Sequence, residues 1–167
     1  MINKLADQIE EVWQRASLID KNIFENEDVQ KSDDEFRLDN FGAILKKSEF
    51  GEQTKYGWTI DHILPTLKGG TDHFLNLQAL HWKNNKAKGD DFPTFRVGVG
   101  TWIGNRFEND EGPAPKSTVS DKVLEDLLTI YPNNNYIKGA LEAVLILFKK
   151  FIKGYFYKGQ LNDGFAC

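Results

Sequence analysis

The chain has 167 residues, of which 40% are hydrophobic and 28% are charged, and its net charge is −4. The length suits one domain with a sizeable core, and the composition is ordinary for a globular protein. The single cysteine, Cys167, excludes an intramolecular disulfide framework and is typical of proteins in a reducing compartment.

Two further features bear on where the protein works. The N-terminal residues turn acidic already at Asp7, which is not typical of a signal peptide. The longest apolar run near the C-terminus, residues 143–148, is far too short to span a bilayer. We therefore expect a cytoplasmic protein without a membrane partner.

The first 52 residues predict a helix followed by short strands. Residues 25–35 are acidic and polar and predict a solvated loop, and residues 36–50 favour strand, turn and strand. Ahead of them, apolar residues recur at three- and four-residue steps between residues 4 and 17, which predicts an amphipathic helix that packs on the core: Leu5, Ile9, Val12, Trp13 and Ala16.

Residues 53–90 predict a strand, a loop, a second strand and a short helix. Aromatic and β-branched side chains favour the strands, while glycine and proline mark the turns and ends. In chain order, the signals are a strand from Trp58 to Ile63 that Pro65 ends, a turn at Gly69-Gly70, a strand over residues 77–82, and a helix over residues 83–88 that Gly89 stops.

The remaining residues, 91–167, predict a loop followed by a helical layer. A short strand is expected at residues 96–102, among several glycines. Ser120 is a good N-cap for a helix from Asp121 to about Tyr131. Residues 136–157 then carry a wide apolar stripe, which forms either the core of this layer or a surface for a homodimer or protein partner.

Three side chains in the 53–90 segment form an apparatus for hydrolysing a phosphodiester bond. Asp61 is a hard oxygen ligand of the kind that Mg²⁺ prefers, and Asn85 can share that ion while water and phosphate fill its other positions. His62 can act as a neutral base near pH 7. Because adjacent strand residues point to opposite faces, Asp61 and His62 can serve one site only if the strand bends or ends there.

Asp61, His62, Asn76 and Asn85 follow one another at the spacing of a known motif, so that residues 58–89 resemble the HNH family of ββα-metal nucleases. The resemblance implies that His62 is the general base and that Asp61 ligates Mg²⁺, for which Mn²⁺ could substitute. It also implies that Asn76 braces the loop and orients the histidine, and that Asn85 completes the site. An asparagine at this last position is more similar to the HNH domain of CRISPR-guided nucleases than to colicin DNases.

The chain departs from many HNH proteins because it lacks the two Cys-x-x-Cys pairs that hold a structural zinc. The positions of the second pair fall on His81 and Asn84. We therefore expect no structural zinc, and we expect the flanking segments to brace the small ββα unit. His81 could approach the metal or the phosphate, or it could cap the strand.

The distribution of charge permits a contact with nucleic acid at the motif. Residues 1–52 carry 7 basic and 13 acidic side chains, and residues 91–167 carry 9 of each. Only residues 53–90 are net positive, with 5 basic and 3 acidic side chains. We expect contacts with the nucleic-acid backbone, which position the substrate without reading its sequence, from Lys83, Lys86 and Lys88.

The sequence thus predicts one α+β domain over residues 1–167, with an HNH (ββα-metal) nuclease centre at residues 53–90 flanked by N- and C-terminal helices. The resemblance implies a metal-dependent endonuclease that hydrolyses phosphodiester bonds in DNA, with duplex DNA as the expected substrate, in a bacterial or phage intracellular setting. The expected catalytic residues are His62, Asn76 and Asn85.

Two other functions stay open at this stage. One is a non-catalytic DNA- or partner-binding module on an HNH scaffold; the intact Asp61, His62 and Asn85 argue against it, because decayed modules usually lose at least one of these. The other is a small interaction protein whose working surface is the helix at residues 136–157. Sizing the protein with and without that helix would distinguish this case.

Overall fold

The computed structural model describes residues 4–20, 27–30, 35–102, 105–108 and 116–159. The chain divides into two compact units, Met1–Val119 and Ser120–Cys167. The described part of the first unit mixes helices with small antiparallel sheets, and that of the second is helical, which confirms the α+β class. The prediction of a single domain over the whole chain stays a prediction.

The elements are short until the last helix. Four antiparallel sheets form among the described residues, in the orders β1-β2-β3, β4-β5, β6-β9 and β7-β8. The bounds are α1 (Lys4–Arg15), β1 (Ser17–Leu18), α2 (Glu27–Gln30), β2 (Phe36–Leu38), β3 (Ile44–Lys46), β4 (Trp58–His62), β5 (Leu77–His81), α3 (Trp82–Lys88), β6 (Thr94–Arg96), β7 (Val99–Trp102), β8 (Asn105–Glu108), β9 (Lys116–Thr118), α4 (Asp121–Ile130) and α5 (Asn135–Gly159).

Most predicted elements are confirmed to within two residues at their ends. The strand, loop, strand and helix of the motif are β4, β5 and α3, and the two C-terminal helices are α4 and α5. Ser120 caps α4, because its hydroxyl accepts a hydrogen bond from the amide of Val123. No helix in the described part of the chain is long and apolar enough to cross a membrane.

Two predictions about flanking segments are wrong where the structure describes them. The acidic stretch contains α2, whose Val29 is buried in a cluster with Phe36, Ile44 and Tyr56 rather than solvated. The expected strand at residues 96–102 is two strands with different partners, β6 and β7. The side chain of Asn84 accepts hydrogen bonds from the amides of Gly98 and Val99, which diverts the backbone between these strands.

The β4-β5 hairpin lies between α1 on one face and α3 on the other. Trp58, Leu77 and Ala79 pack with Val12 and Trp13 of α1 in one buried cluster, and the Trp13 and Trp58 rings are 5.1 Å apart at their centroids. The opposite face of β4 carries Thr59 and Asp61, which contact side chains of α3. The helix predicted at residues 4–17 therefore packs on the face of the hairpin opposite α3.

Asn84 connects α3 to two distant segments through four hydrogen bonds, three of them buried and one partly buried. Its amide nitrogen donates to Asp39 Oδ2 and to the Val99 carbonyl, both at 2.8 Å, and its oxygen accepts from the amides of Gly98 and Val99 at the same distance. Asp39 is 3% exposed and also accepts from the amides of Phe41, Ala43 and His81. Segments on both sides of the motif therefore brace it, and both do so at Asn84.

The buried Asp39 carboxylate makes stability depend on pH. Burial raises the pKa of Asp39 to about 6 from its ordinary 3.8, although its hydrogen-bond donors oppose the rise. The native protein therefore binds this proton at a higher pH than the unfolded chain does. The Asp39 contribution to the free energy of unfolding is largest below about pH 4 and is lost as the pH rises through about 6.

We expect the Asp39 contribution to raise the free energy of unfolding by about 1 kcal/mol between pH 7 and pH 5. Denaturant titrations at both pH values should show this gain in the wild type and lack it in Asp39→Asn. That variant should also be less stable by about 2–4 kcal/mol, because its amide nitrogen faces donors. The exposed Asp91→Asn is the matched control. An equal pH response in all three proteins would contradict the assignment.

Candidate functional site

His62 is the last residue of β4, and its ring turns toward the loop that follows. The Nε2 atom lies 2.8 Å from Asp72 Oδ1, and the His62 side chain is 29% exposed. The strand ends after His62, although the amide of Ile63 still donates to the Asn76 carbonyl in the register of the hairpin. The His62 ring contacts Asp72, whereas the Asp61 carboxylate faces α3, so that their joint service in one site stays a prediction.

Asn76 is fully buried and closes the loop between β4 and β5. Its side chain accepts from the amide of Leu64 at 2.8 Å and donates to the carbonyls of Leu64 and Thr71. Gly70 packs so closely here that a Cβ atom would lie 1.8 Å from the Leu64 carbonyl oxygen. Asn76 therefore braces the loop that carries Asp72, the partner of His62.

Asp61 is 7% exposed and faces α3, where it forms an ion pair with Lys88. The Lys88 ammonium lies 3.2 Å from Asp61 Oδ1 and donates to the His62 carbonyl at 2.8 Å, while Gln78 donates to Asp61 Oδ2 at 2.9 Å. Burial raises the pKa of Asp61 above its ordinary value. The charges and hydrogen bonds of Lys88, Gln78 and His62 partly oppose this rise. The carboxylate is thus held in place by two donors.

Asn85 lies on the same side of the hairpin as Asp61. Its amide nitrogen donates to Thr59 Oγ1 at 2.8 Å, and Thr59 stands two residues before Asp61 on the same face of β4. The amide oxygen of Asn85 has no hydrogen-bond partner among the described residues. The structure therefore brings both predicted metal ligands to the interface of β4 with α3, without a direct contact between them.

Of the three lysines expected on the nucleic-acid backbone, one points inward. Lys88 is 2% exposed, and its ammonium is engaged by Asp61 and His62, so it does not face solvent. This placement contradicts the expected backbone contact, because a buried, paired ammonium does not reach a phosphate. Lys86 is exposed and Lys83 is partly exposed, and both stay proposed backbone contacts.

His81 is buried at the junction of β5 with α3, away from Asp61. Its Nδ1 atom accepts from the amide of Lys83 at 3.1 Å, and its Nε2 atom lies 3.2 Å from the Lys55 carbonyl oxygen. Both ring nitrogens therefore have protein partners. Two roles were left open for His81. The structure favours the role of a cap, because His81 ends β5 and caps the first turn of α3.

Residues 47–91 match the family model described as HNH endonuclease. These residues are therefore similar to HNH endonucleases. A search of curated proteins and a search of solved structures each find no match to the chain. Nucleases of the HNH family generally use a divalent metal and act on DNA.

Asp61 and Asn85 carry hard oxygen donors of the kind that Mg²⁺ takes together with several water ligands. The Asn85 amide oxygen has no partner among the described residues, whereas both Asp61 oxygens accept hydrogen bonds, from Lys88 and Gln78. Within the described residues, no group of three or more His, Cys, Asp and Glu side chains could hold a metal ion.

The sequence did not reveal three polar partners at this candidate site: Thr59, Asp72 and Gln78. Thr59 could have been found because alternate residues of a strand share a face, which places it beside Asp61. Gln78 could have been found from the strand register, which pairs it with Asp61. No sequence pattern indicated Asp72 as a partner of His62. It lies in a loop, its side chain is 84% exposed, and it meets His62 only in the folded chain.

Lys88→Met should strongly destabilise the protein, because it leaves the buried Asp61 carboxylate without its cation. Removal of one partner from a buried ion pair costs roughly 3–5 kcal/mol. Lys86→Met on the exposed side of the same helix is the matched control and should change stability by less than about 0.5 kcal/mol. Denaturant unfolding of the three proteins measures the difference, and equal stabilities would show that the ion pair contributes nothing.

Proposed function

We propose that this HNH-like domain is a metal-dependent endonuclease that hydrolyses phosphodiester bonds in DNA, by nicking or by cutting both strands. The observation that supports the proposal best is the amide oxygen of Asn85, which has no hydrogen-bond partner in the described part of the chain and lies on the side of the hairpin that carries Asp61. His62 follows at the end of the same strand, with an adjacent carboxylate. A water, a metal and a phosphate each have a candidate partner in this arrangement.

Asp61 and Asn85 would hold the metal, with Mg²⁺ as the expected ion and Mn²⁺ as a substitute. When bound, a divalent ion neutralises charge on the phosphate and on the leaving oxygen. Lys88 and Gln78 keep the Asp61 carboxylate in one orientation by donating to separate oxygens. The metal ligands therefore come from two elements whose relative position is set by buried contacts.

His62 would take the proton of the attacking water. An ionised Asp72 can only accept a hydrogen bond, so its contact with Nε2 would favour the tautomer with the hydrogen on Nε2 and the lone pair on Nδ1. As the ring becomes positively charged, the Asp72 carboxylate stabilises it, as a carboxylate does for a catalytic histidine elsewhere. Asn76 contributes indirectly by fixing the loop that presents Asp72.

Plasmid cleavage in Mg²⁺, Mn²⁺, Zn²⁺ and EDTA tests the proposal. The wild type should nick or linearise the plasmid in Mg²⁺ and Mn²⁺ but not in EDTA. His62→Ala should lose roughly 10²–10⁴-fold in rate, because it lacks the general base. His73→Ala removes an exposed histidine of the same loop and should keep full activity.

The outcomes of that assay separate the two candidate functions. Full activity in a folded His62→Ala protein would contradict the assignment of the base. Absence of cleavage in every metal, with DNA binding intact, would instead support the non-catalytic binding module on an HNH scaffold.

Asn85→Ala should raise the Mg²⁺ concentration needed for half-maximal cleavage, because one of two protein ligands is gone. Mn²⁺ should partly restore the rate, since it binds the same kind of site more tightly. Asn85→Asp keeps an oxygen ligand and should retain cleavage at low Mg²⁺. An unchanged Mg²⁺ dependence in Asn85→Ala would show that this residue does not bind the metal.

A further inference from the structure

A cavity of about 440 Å³ opens beside α3, next to the proposed metal site. Its volume lies within the range of small-ligand pockets, roughly 300–1,000 Å³. It shares Asn85 and Thr59 with the interface that carries Asp61, so its occupant would adjoin the reacting phosphate. The residues that line it include Glu52, Gln53, Thr59, Trp82, Asn85 and Lys86.

The walls of the cavity are held in place before any ligand arrives. The Trp82 indole nitrogen donates to the Thr54 carbonyl at 2.7 Å, and the Trp82 amide donates to the Gly57 carbonyl at 3.2 Å. Gly57 lies so close to the turn before it that a Cβ atom would be 2.0 Å from the Glu52 carbonyl oxygen. The turn that carries Glu52 and Gln53 is therefore packed against the aromatic wall.

The chemistry of the lining suits a nucleobase better than a metal or an apolar group. Trp82 offers an aromatic surface, and bases stack on such surfaces in proteins that bind single strands. The side chains of Glu52 and Gln53 have no hydrogen-bond partner among the described residues, so both can bond to the polar edge of a base. Lys86 supplies a cation at the cavity for the attached phosphate.

We propose that this cavity takes one unstacked nucleobase of the substrate strand, beside the phosphate to be cut. This rests on the proposed nuclease function and narrows its substrate class. A base that stays paired and stacked in a duplex cannot reach into a cavity, so the nucleotide must be unpaired or extruded from the duplex. The preferred substrate is then single-stranded, gapped or locally opened DNA.

A binding experiment in EDTA tests the cavity without cleavage. Fluorescence anisotropy should compare a labelled oligomer of dC with an oligomer of equal length whose sugars carry no bases. The wild type should bind the dC oligomer about 10-fold more tightly, the factor expected for one stacked base. Trp82→Ala should bind the two oligomers equally, while Trp82→Phe should keep most of the difference.

Two controls separate stacking from folding and from general aromatic contact. Trp82→Phe also loses the hydrogen bond to Thr54, so a difference that survives in it is carried by the ring and not by that bond. Tyr136→Ala removes an exposed aromatic side chain of the second unit and should bind both oligomers as the wild type does. A Tyr136→Ala protein that lost the preference would overturn the role of Trp82.

The result also separates this proposal from the nuclease function. If the wild type binds both oligomers equally, or Trp82→Ala keeps the full preference, no base enters the cavity and the proposal is overturned. Plasmid cleavage together with base-independent binding would support the nuclease function and refute the proposed role of the cavity. Base-dependent binding through Trp82 without cleavage in any metal would support the cavity and refute the nuclease.

Discussion

Buried polar contacts hold α3 on the hairpin, and the rest of the first unit depends on them. A seven-residue helix is marginal by itself, so its position must come from tertiary contacts. Asn84 and Lys88, one turn apart, supply those contacts with side chains that are 1% and 2% exposed. Each satisfies groups that would otherwise be buried without partners, which makes the arrangement specific as well as stable.

The side chains of α3 reach two sets of partners. Asn84 contacts Asp39 and the start of β7, whereas Lys88 and Asn85 contact β4. The helix is therefore braced on both sides, and Lys88 provides its support by pairing with Asp61, a proposed metal ligand. A site held by such packed and hydrogen-bonded supports keeps its geometry without help from the mobile parts of a chain.

The elements of the motif could be predicted because their signals are local. Pro65 and Gly89 mark the ends of the first strand and of α3, and the HNH spacing drew attention to Asp61, His62 and Asn85. The inward turn of Lys88 could not be predicted, because lysines are almost always exposed and its partner stands 27 residues earlier. Asp39 was missed for the same reason: its partner Asn84 is 45 residues away.

The Asn84 network also constrains how such a domain could change during evolution. A cysteine at position 84 would leave the Asp39 carboxylate and the amides of Gly98 and Val99 with fewer partners. Each such loss in a buried place is costly, and the losses are coupled because they share one side chain. Replacement of this hydrogen-bonded brace by a cysteine-bound zinc site would thus pass through less stable intermediates.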